Sequence, residues 1–147
     1  MVSPELLRRY SYFSPIRHDT LRKVAMVSNE KVIPGGQTVF HEWDRADYLY
    51  VILKGEVNIH YALPSGAQSI VDTLGEGDII VWSALVAPYR TIGSGTTSRE
   101  TRVVAIEAAK LRELCDEDPQ LGFRLMTEVV KVLSQRLEGT RAQLAVA

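Results

Sequence analysis

Residues 31 to 107 consist of short apolar runs separated by turn signals, and this pattern constrains the fold more than any other feature of the sequence. The runs are rich in Val, Ile and Tyr, and the signals between them include Pro34-Gly35-Gly36 and Pro64-Ser65-Gly66. Many short strands at this spacing are typical of a closed sandwich or a barrel-like roll. The predicted strands cover residues 30–33, 38–41, 48–54, 56–62, 68–74, 79–80, 93–97 and 101–106.

Helices are predicted on both sides of these strands. Before them, Pro4 follows Ser3 as a first-turn proline follows a capping residue, and Ser14-Pro15 predicts the start of a second helical unit. After them, residues 108 to about 116 predict a short helix with Leu111 and Leu114 facing inward. The strands are therefore expected to lie between helical segments at residues 1–30 and 108–147.

A long helix is predicted after Asp118, which can cap it with Pro119 at its first position. Apolar residues recur along it at alternating intervals of three and four, the heptad pattern of a helix that pairs with another helix. This seam consists of Phe123, Met126, Val130, Leu133, Leu137, Thr140 and Leu144. A second stripe consists of Leu121, Leu125, Val129 and Val132. We expect the second stripe to pack on the domain and the seam to form a homodimer; the alternative is one broad apolar face packed on its own domain.

Composition narrows the functional class. A chain of 147 residues suits one domain spanning 1–147, and 46% hydrophobic with 24% charged residues is ordinary for a folded soluble protein. Seventeen Lys and Arg against 18 Asp and Glu argue against a general nucleic-acid binder. The sequence offers no signal peptide, no apolar run of about 20 residues and a lone Cys115. We expect a cytoplasmic protein without a membrane segment, in which Cys115 is a buried structural thiol.

Four segments resemble the cyclic nucleotide-binding domain family, the sensory module of catabolite-activator-like regulators. They are VIPGGQTVF at 32–40, DYLYVILKGEV at 47–57, LGEGDII at 74–80, and SAL at 83–85 followed by PYRT at 88–91. The resemblance implies a mainly β fold with flanking α: an eight-stranded antiparallel β-roll (jelly-roll) with N-terminal helices and a long C-terminal helix. It also implies a ligand pocket inside the roll, closed by a phosphate-binding cassette.

The resemblance assigns the cassette to residues 82–91. Arg90 takes the place of the family's phosphate-binding arginine, whose charge strengthens the hydrogen bond to phosphate. The amides of Ser83, Ala84 and Thr91 are candidate phosphate donors, and Leu85 completes the short helix. The ligand implied is cAMP or cGMP, with no other cofactor and no metal. The alternative for Arg90 is a solvated loop cation.

The cassette departs from the family at Val81 and Trp82, which replace a glycine and a glutamate. In the family the glutamate accepts a hydrogen bond from the ribose 2′-hydroxyl, and an indole has only a donor. Losing such a bond costs ~1.5–3 kcal/mol, roughly ten- to a hundredfold or somewhat more in affinity. Three orientations of Trp82 follow: inward as a stacking face, inward as a plug, or rotated onto the core.

The expected function is a non-enzymatic regulatory domain that binds a cyclic nucleotide in the roll and signals through its C-terminal helix to an unknown downstream protein. No helix-turn-helix unit is expected after the long helix. The alternative is the same fold with a degenerate pocket, serving as an interaction or dimerisation module or binding another small anion. A cupin-like metal site is disfavoured because Trp43 stands where a histidine ligand would follow His41, and His60 and His18 are not at ligand spacing.

Overall fold

The computed structural model describes residues 1–146, which form two four-stranded antiparallel sheets flanked by helices. The expected eight-stranded roll is confirmed. The helices are α1 (Pro4–Leu7), α2 (His18–Met26), α3 (Ala108–Glu117) and α4 (Pro119–Val146). The strands are β1 (Ser28–Ile33), β2 (Thr38–Phe40), β3 (Tyr48–Lys54), β4 (Val57–Ala62), β5 (Gln68–Leu74), β6 (Ile79–Ile80), β7 (Ser94–Thr97) and β8 (Thr101–Glu107).

The two sheets enclose one apolar core. One sheet has the strand order β1-β8-β3-β6 and the other has the order β2-β7-β4-β5. Several consecutive strands, such as β1 and β2 or β3 and β4, therefore belong to different sheets. Side chains alternate between the faces of each strand, and the inward residues of facing sheets meet. Leu49 and Val51 of β3, Ile59 of β4 and Val104 of β8 are almost completely buried. This core holds in place the loops that join the sheets.

Glycine is required at the passage from β3 to β4. Gly55 has a φ of 115°, and a Cβ on it would lie 2.6 Å from the Thr101 Cα. An L side chain rarely adopts that conformation and would overlap the backbone of β8. The sequence signal for a tight turn at this glycine is therefore explained by both its φ and the closeness of its neighbour.

The second helix begins at His18 rather than at the Ser14-Pro15 signal, so that predicted start is wrong. Turns occupy the intervening residues, and the Arg8 guanidinium holds them by donating to the carbonyl oxygens of Ser14, at 3.0 Å, and Ile16, at 3.1 Å. Those carbonyls are satisfied by a side chain, so no regular helix is needed to pair them.

Asp118 caps α4 as the sequence predicts. Its Oδ1 accepts from the Gln120 amide at 3.2 Å, while its Oδ2 accepts from the Thr20 hydroxyl at 2.7 Å. The hydrogen bond from Thr20 lowers the pKa of the Asp118 carboxyl. The cap thus also ties the start of α4 to α2.

The two apolar stripes of α4 have different environments. The stripe Leu121, Leu125, Val129 and Val132 is buried, as predicted. The seam is exposed in the single chain, with 60% of Val130, 63% of Leu137 and 71% of Leu144 accessible. The alternative of one broad face packed on its own domain does not describe this helix. Among the described residues, no helix combines the length and apolar composition needed to cross a bilayer.

Candidate ligand-binding site

The cassette begins with a backbone conformation that suits glycine. Val81 has φ 64° and ψ 52°, and a single 3-10 turn, Trp82–Leu85, follows it. A β-branched residue in this left-handed region costs of order 1–3 kcal/mol. A valine thus adopts at this position the left-handed conformation that a glycine adopts without steric cost. Ser83, Ala84 and Leu85 of this turn are buried.

Trp82 lies at the interior of the roll. Its half-buried side chain packs against the core and lines a cavity of only about 10 Å³. That volume is far below the roughly 300–1,000 Å³ of small-molecule sites. The indole thus combines features of two of the orientations weighed from the sequence, since it packs on the core and borders this cavity. The cavity is lined by Phe40, Ile59, Val81, Trp82, Ser83, Thr91, Ile92 and Arg136.

Arg136 is the one residue of that lining that comes from α4. Its Nε lies 3.4 Å from the Asp72 Oδ2 on β5, and only 12% of its side chain is exposed. Sequence reasoning missed this pair. A signal was present, because Arg136 follows Val132 by four residues and so continues the buried stripe of α4. A charged residue at an inward position requires a partner.

Arg90 is not part of the lining of this cavity. Arg90 is half-buried and pairs with Arg45 through an isolated antiparallel bridge. Thr91 faces the interior, but its amide donates to the Asp44 carbonyl at 2.8 Å. The Ala84 amide donates to the Val81 carbonyl at 3.0 Å. Of the predicted site residues, Trp82, Ser83 and Thr91 therefore meet at the interior cavity. Ala84 and Leu85 are buried in the core, and Arg90 lines a different cleft.

The side chain of Arg90 lines an outer cleft of about 450 Å³ between the cassette and the start of α3. Arg112 of α3 lies in the same cleft, donates to the Ala84 carbonyl at 2.7 Å, and stacks 3.9 Å from the Tyr89 ring centroid. The outer cleft is lined by Arg45, Ala46, Asp47, Tyr48, Pro88, Tyr89, Arg90, Glu107, Ala108, Ala109 and Arg112.

The histidine, cysteine and N-terminal basic residues that the sequence offers as candidates have contacts typical of a structural role. His60 Nε2 is hydrogen-bonded to the Thr96 hydroxyl at 2.7 Å. Within residues 1–146, no three His, Cys, Asp or Glu side chains are grouped as metal ligands would be. Cys115 is half-buried, and burial raises the pKa of its thiol to about 11. Arg17 and Lys23 pair with Asp118 and Glu117, which makes them surface ion pairs between helices.

Comparison with known proteins agrees with this architecture. Residues 30–118 match the family model of the cyclic nucleotide-binding domain. A putative cyclic nucleotide-binding protein from Geobacter metallireducens has 35% identity and a TM-score of 0.81, covering 93% of this chain and 99% of that one. The CRP-like cAMP-activated global transcriptional regulator of Mycobacterium tuberculosis is 28% identical over 96% of this chain. This chain spans 61% of that regulator's length.

A more distant likeness is to the regulatory domain of a protein kinase. The regulatory domain of Toxoplasma gondii protein kinase A, solved with cAMP, has a TM-score of 0.68 and 21% identity. The match covers 76% of this chain and 42% of that one. At this identity the comparison shows the common fold.

Proposed function

This chain belongs to the cyclic nucleotide-binding domain family, and from that premise we propose that it is a non-enzymatic regulatory domain that binds cAMP or cGMP in its roll and signals through α4. The observation that carries the proposal is the position of Arg136. It lies in the lining of the roll interior and at the same time belongs to the helix that presents the exposed seam.

Ligand binding in the roll and the position of α4 are coupled because Arg136 of α4 lines the interior cavity. The cavity beside Trp82, of about 10 Å³, holds at most one water, so a nucleotide that binds at this point displaces Trp82 or Arg136. Displacing Arg136 breaks its contact with Asp72 and removes one tie between α4 and β5. A ligand that binds only the opened form shifts the population toward it. The exposed seam, as a homodimer interface, would then transmit the change to a downstream protein.

Phosphate capture requires a second rearrangement. Arg90 matches the family's phosphate arginine in sequence, and it must turn from the outer cleft toward the interior to pair with a ligand there. The segment that carries it contains Tyr89, whose φ of 59° is unusual for a non-glycine residue. Because Trp82 offers no acceptor to a ribose hydroxyl, we expect affinity below that of a cassette with glutamate.

The filled interior favours a second candidate function. If neither Trp82 nor Arg136 yields, the roll takes no nucleotide and the chain serves as a dimerisation or interaction module through the seam. The same observation, a cavity of about 10 Å³, supports this reading. The two candidates differ in whether the protein has a saturable nucleotide site.

Isothermal calorimetry on ligand-stripped protein, with cAMP and cGMP up to millimolar concentration, separates the two candidates. The first predicts saturable binding that is lost in Arg90→Ala and kept in Arg102→Ala, an exposed arginine of β8 that pairs with Glu30. Silence with both nucleotides in folded protein would overturn the first candidate and leave the second.

A further inference from the structure

The outer cleft gathers three arginines from three separate segments of the chain. Arg45 precedes β3, Arg90 follows the cassette turn, and Arg112 lies in the second turn of α3. The volume of about 450 Å³ falls within the range of small-molecule sites. We propose that this cleft is a second ligand site, distinct from the small cavity beside Trp82, for a small organic phosphate of nucleotide size.

Arg45 and Arg90 face each other across an antiparallel bridge. Residues directly opposite in such a pair have Cβ atoms about 4.5–5.5 Å apart on the same face, and like charges there repel. Asp47 lies 3.3 Å from Arg45, but both side chains are largely exposed, so this pair contributes little. Within residues 1–146, no carboxylate forms an ion pair with Arg90 or Arg112. An anion between these arginines would relieve the repulsion.

Arg112 is held ready for a ligand. Its bond to the Ala84 carbonyl and its stack on Tyr89 fix the guanidinium plane before anything binds. A guanidinium has five N–H donors, so one bond to Ala84 does not exhaust it. Fixing the side chain in advance reduces the entropy lost on binding. The planar fork matches the oxygens of a phosphate and can bind two of them.

The rest of the lining specifies the size and charge of the ligand. The ten-residue helix α3 begins at the cleft, so its positive end faces the same space. The cleft is larger than one phosphate group, and the rings of Tyr48 and Tyr89 border the remainder. Asp47 and Glu107 also line it, which disfavours a ligand with several separated negative charges. A single phosphate carrying a planar ring fits these features.

The inference goes beyond the proposed function and does not require it. Trp82 and Arg136 line the interior cavity and are absent from the lining of the outer cleft. A smaller cavity of about 180 Å³ adjoins both, since its lining includes Arg45 and Tyr48 of the outer cleft as well as Val81 and Thr91. A ligand in the outer cleft would hold Arg90 there and compete with a nucleotide in the roll. Arg45 and Arg112 line the outer cleft and are absent from the lining of the cavity beside Trp82, so their variants test the outer cleft.

Titration with 5′-AMP and with inorganic pyrophosphate at constant ionic strength, followed by amide chemical shifts, tests the site. We expect saturable shifts from 5′-AMP at residues 45–48, 88–90 and 107–112, with weaker binding of pyrophosphate. Arg45→Gln and Arg112→Gln should each weaken 5′-AMP at least tenfold, while Arg102→Gln leaves it unchanged. Arg45 is 75% exposed, so its variant does not threaten the fold.

Two results would overturn the inference: shifts confined to residues 81–83 and 91–92, or binding that both cleft variants leave unaltered. Absence of any saturable shift would do the same. Binding of 5′-AMP in the outer cleft by a protein that ignores cAMP and cGMP would sustain the inference while refuting the nucleotide site in the roll. The two proposals can therefore fail separately.

Discussion

The Nε of Arg136 lies 3.4 Å from the Oδ2 of Asp72, joining the C-terminal helix to strand β5 at the edge of the roll interior. Only 12% of the Arg136 side chain and 28% of the Asp72 side chain are exposed. The same arginine borders the residual interior cavity with Trp82. One side chain thus closes the interior and holds the helix, which is the basis of the proposed coupling.

The first prediction concerns the strength of this contact. Charged hydrogen bonds that are partly buried contribute about 1.5–3 kcal/mol, and at this length we expect the lower end. A double-mutant cycle with Arg136→Met and Asp72→Asn, measured by urea unfolding, should give a coupling energy near that value. The exposed pair Arg141–Glu138 is the matched control and should give only roughly 0.3–0.5 kcal/mol. Equal coupling in both cycles would contradict a special role for Arg136.

The second prediction restores the family residue in the cassette. Trp82→Glu removes the indole from the interior and supplies an acceptor for the ribose hydroxyl. We expect cyclic nucleotide affinity to rise by roughly ten- to a hundredfold. Calorimetry measures the change, and Trp43→Glu is the control because Trp43 is 63% exposed outside the roll interior. An affinity equal to that of the unmodified protein would show that Trp82 does not obstruct the site.

The third prediction concerns the seam of α4. Leu133→Glu with Leu137→Glu places two charges among exposed apolar residues and should convert a homodimer into a monomer, read by light scattering. Lys131→Glu with Gln135→Glu adds charge to exposed positions outside the seam and should leave the mass unchanged. If the parent protein is a monomer, or if the seam variant keeps the dimer mass, this interface is wrong.

The fourth prediction follows from the burial of Cys115. Because burial raises the pKa of the thiol to about 11, the reactive thiolate is scarce in the native state at pH 8. Iodoacetamide should alkylate the folded protein much more slowly than the urea-unfolded protein, and the native rate should keep rising up to about pH 11. A native rate that levels off near pH 8–9, where an ordinary thiol titrates, would show an accessible cysteine.

Most of the fold could be predicted because local signals and long-range packing agree. The strands at 48–54, 68–74 and 79–80 have the predicted bounds. Gly55 and Gly75 directly follow the first two, and Gly77-Asp78 directly precedes the third. The start of α2 was missed because Arg8, a distant side chain, satisfies the carbonyls of Ser14 and Ile16. Helix propensities of residues 14–17 cannot predict this contact, because it is made by a side chain outside that segment.

The site was less predictable than the fold. The position of the cassette could be predicted from its sequence. In the structure, Val81 has a left-handed backbone and the short 3-10 turn follows directly after it. The orientation of Trp82 depends on what α4 places beside it, and the side of the cassette that Arg90 faces depends on Arg45 and α3. These are contacts between segments far apart in sequence. One such contact could be expected from the sequence, because Arg136 is a charged residue within the inward stripe of α4 and therefore requires a partner.

The most direct test of the account follows Trp82 itself. Trp43→Phe leaves Trp82 as the single tryptophan of the chain, and its emission can be recorded during a titration with cAMP. The account predicts a saturable change in Trp82 emission with the same midpoint as the calorimetric binding curve, because the nucleotide displaces the indole. Saturable binding with unchanged Trp82 emission would contradict it.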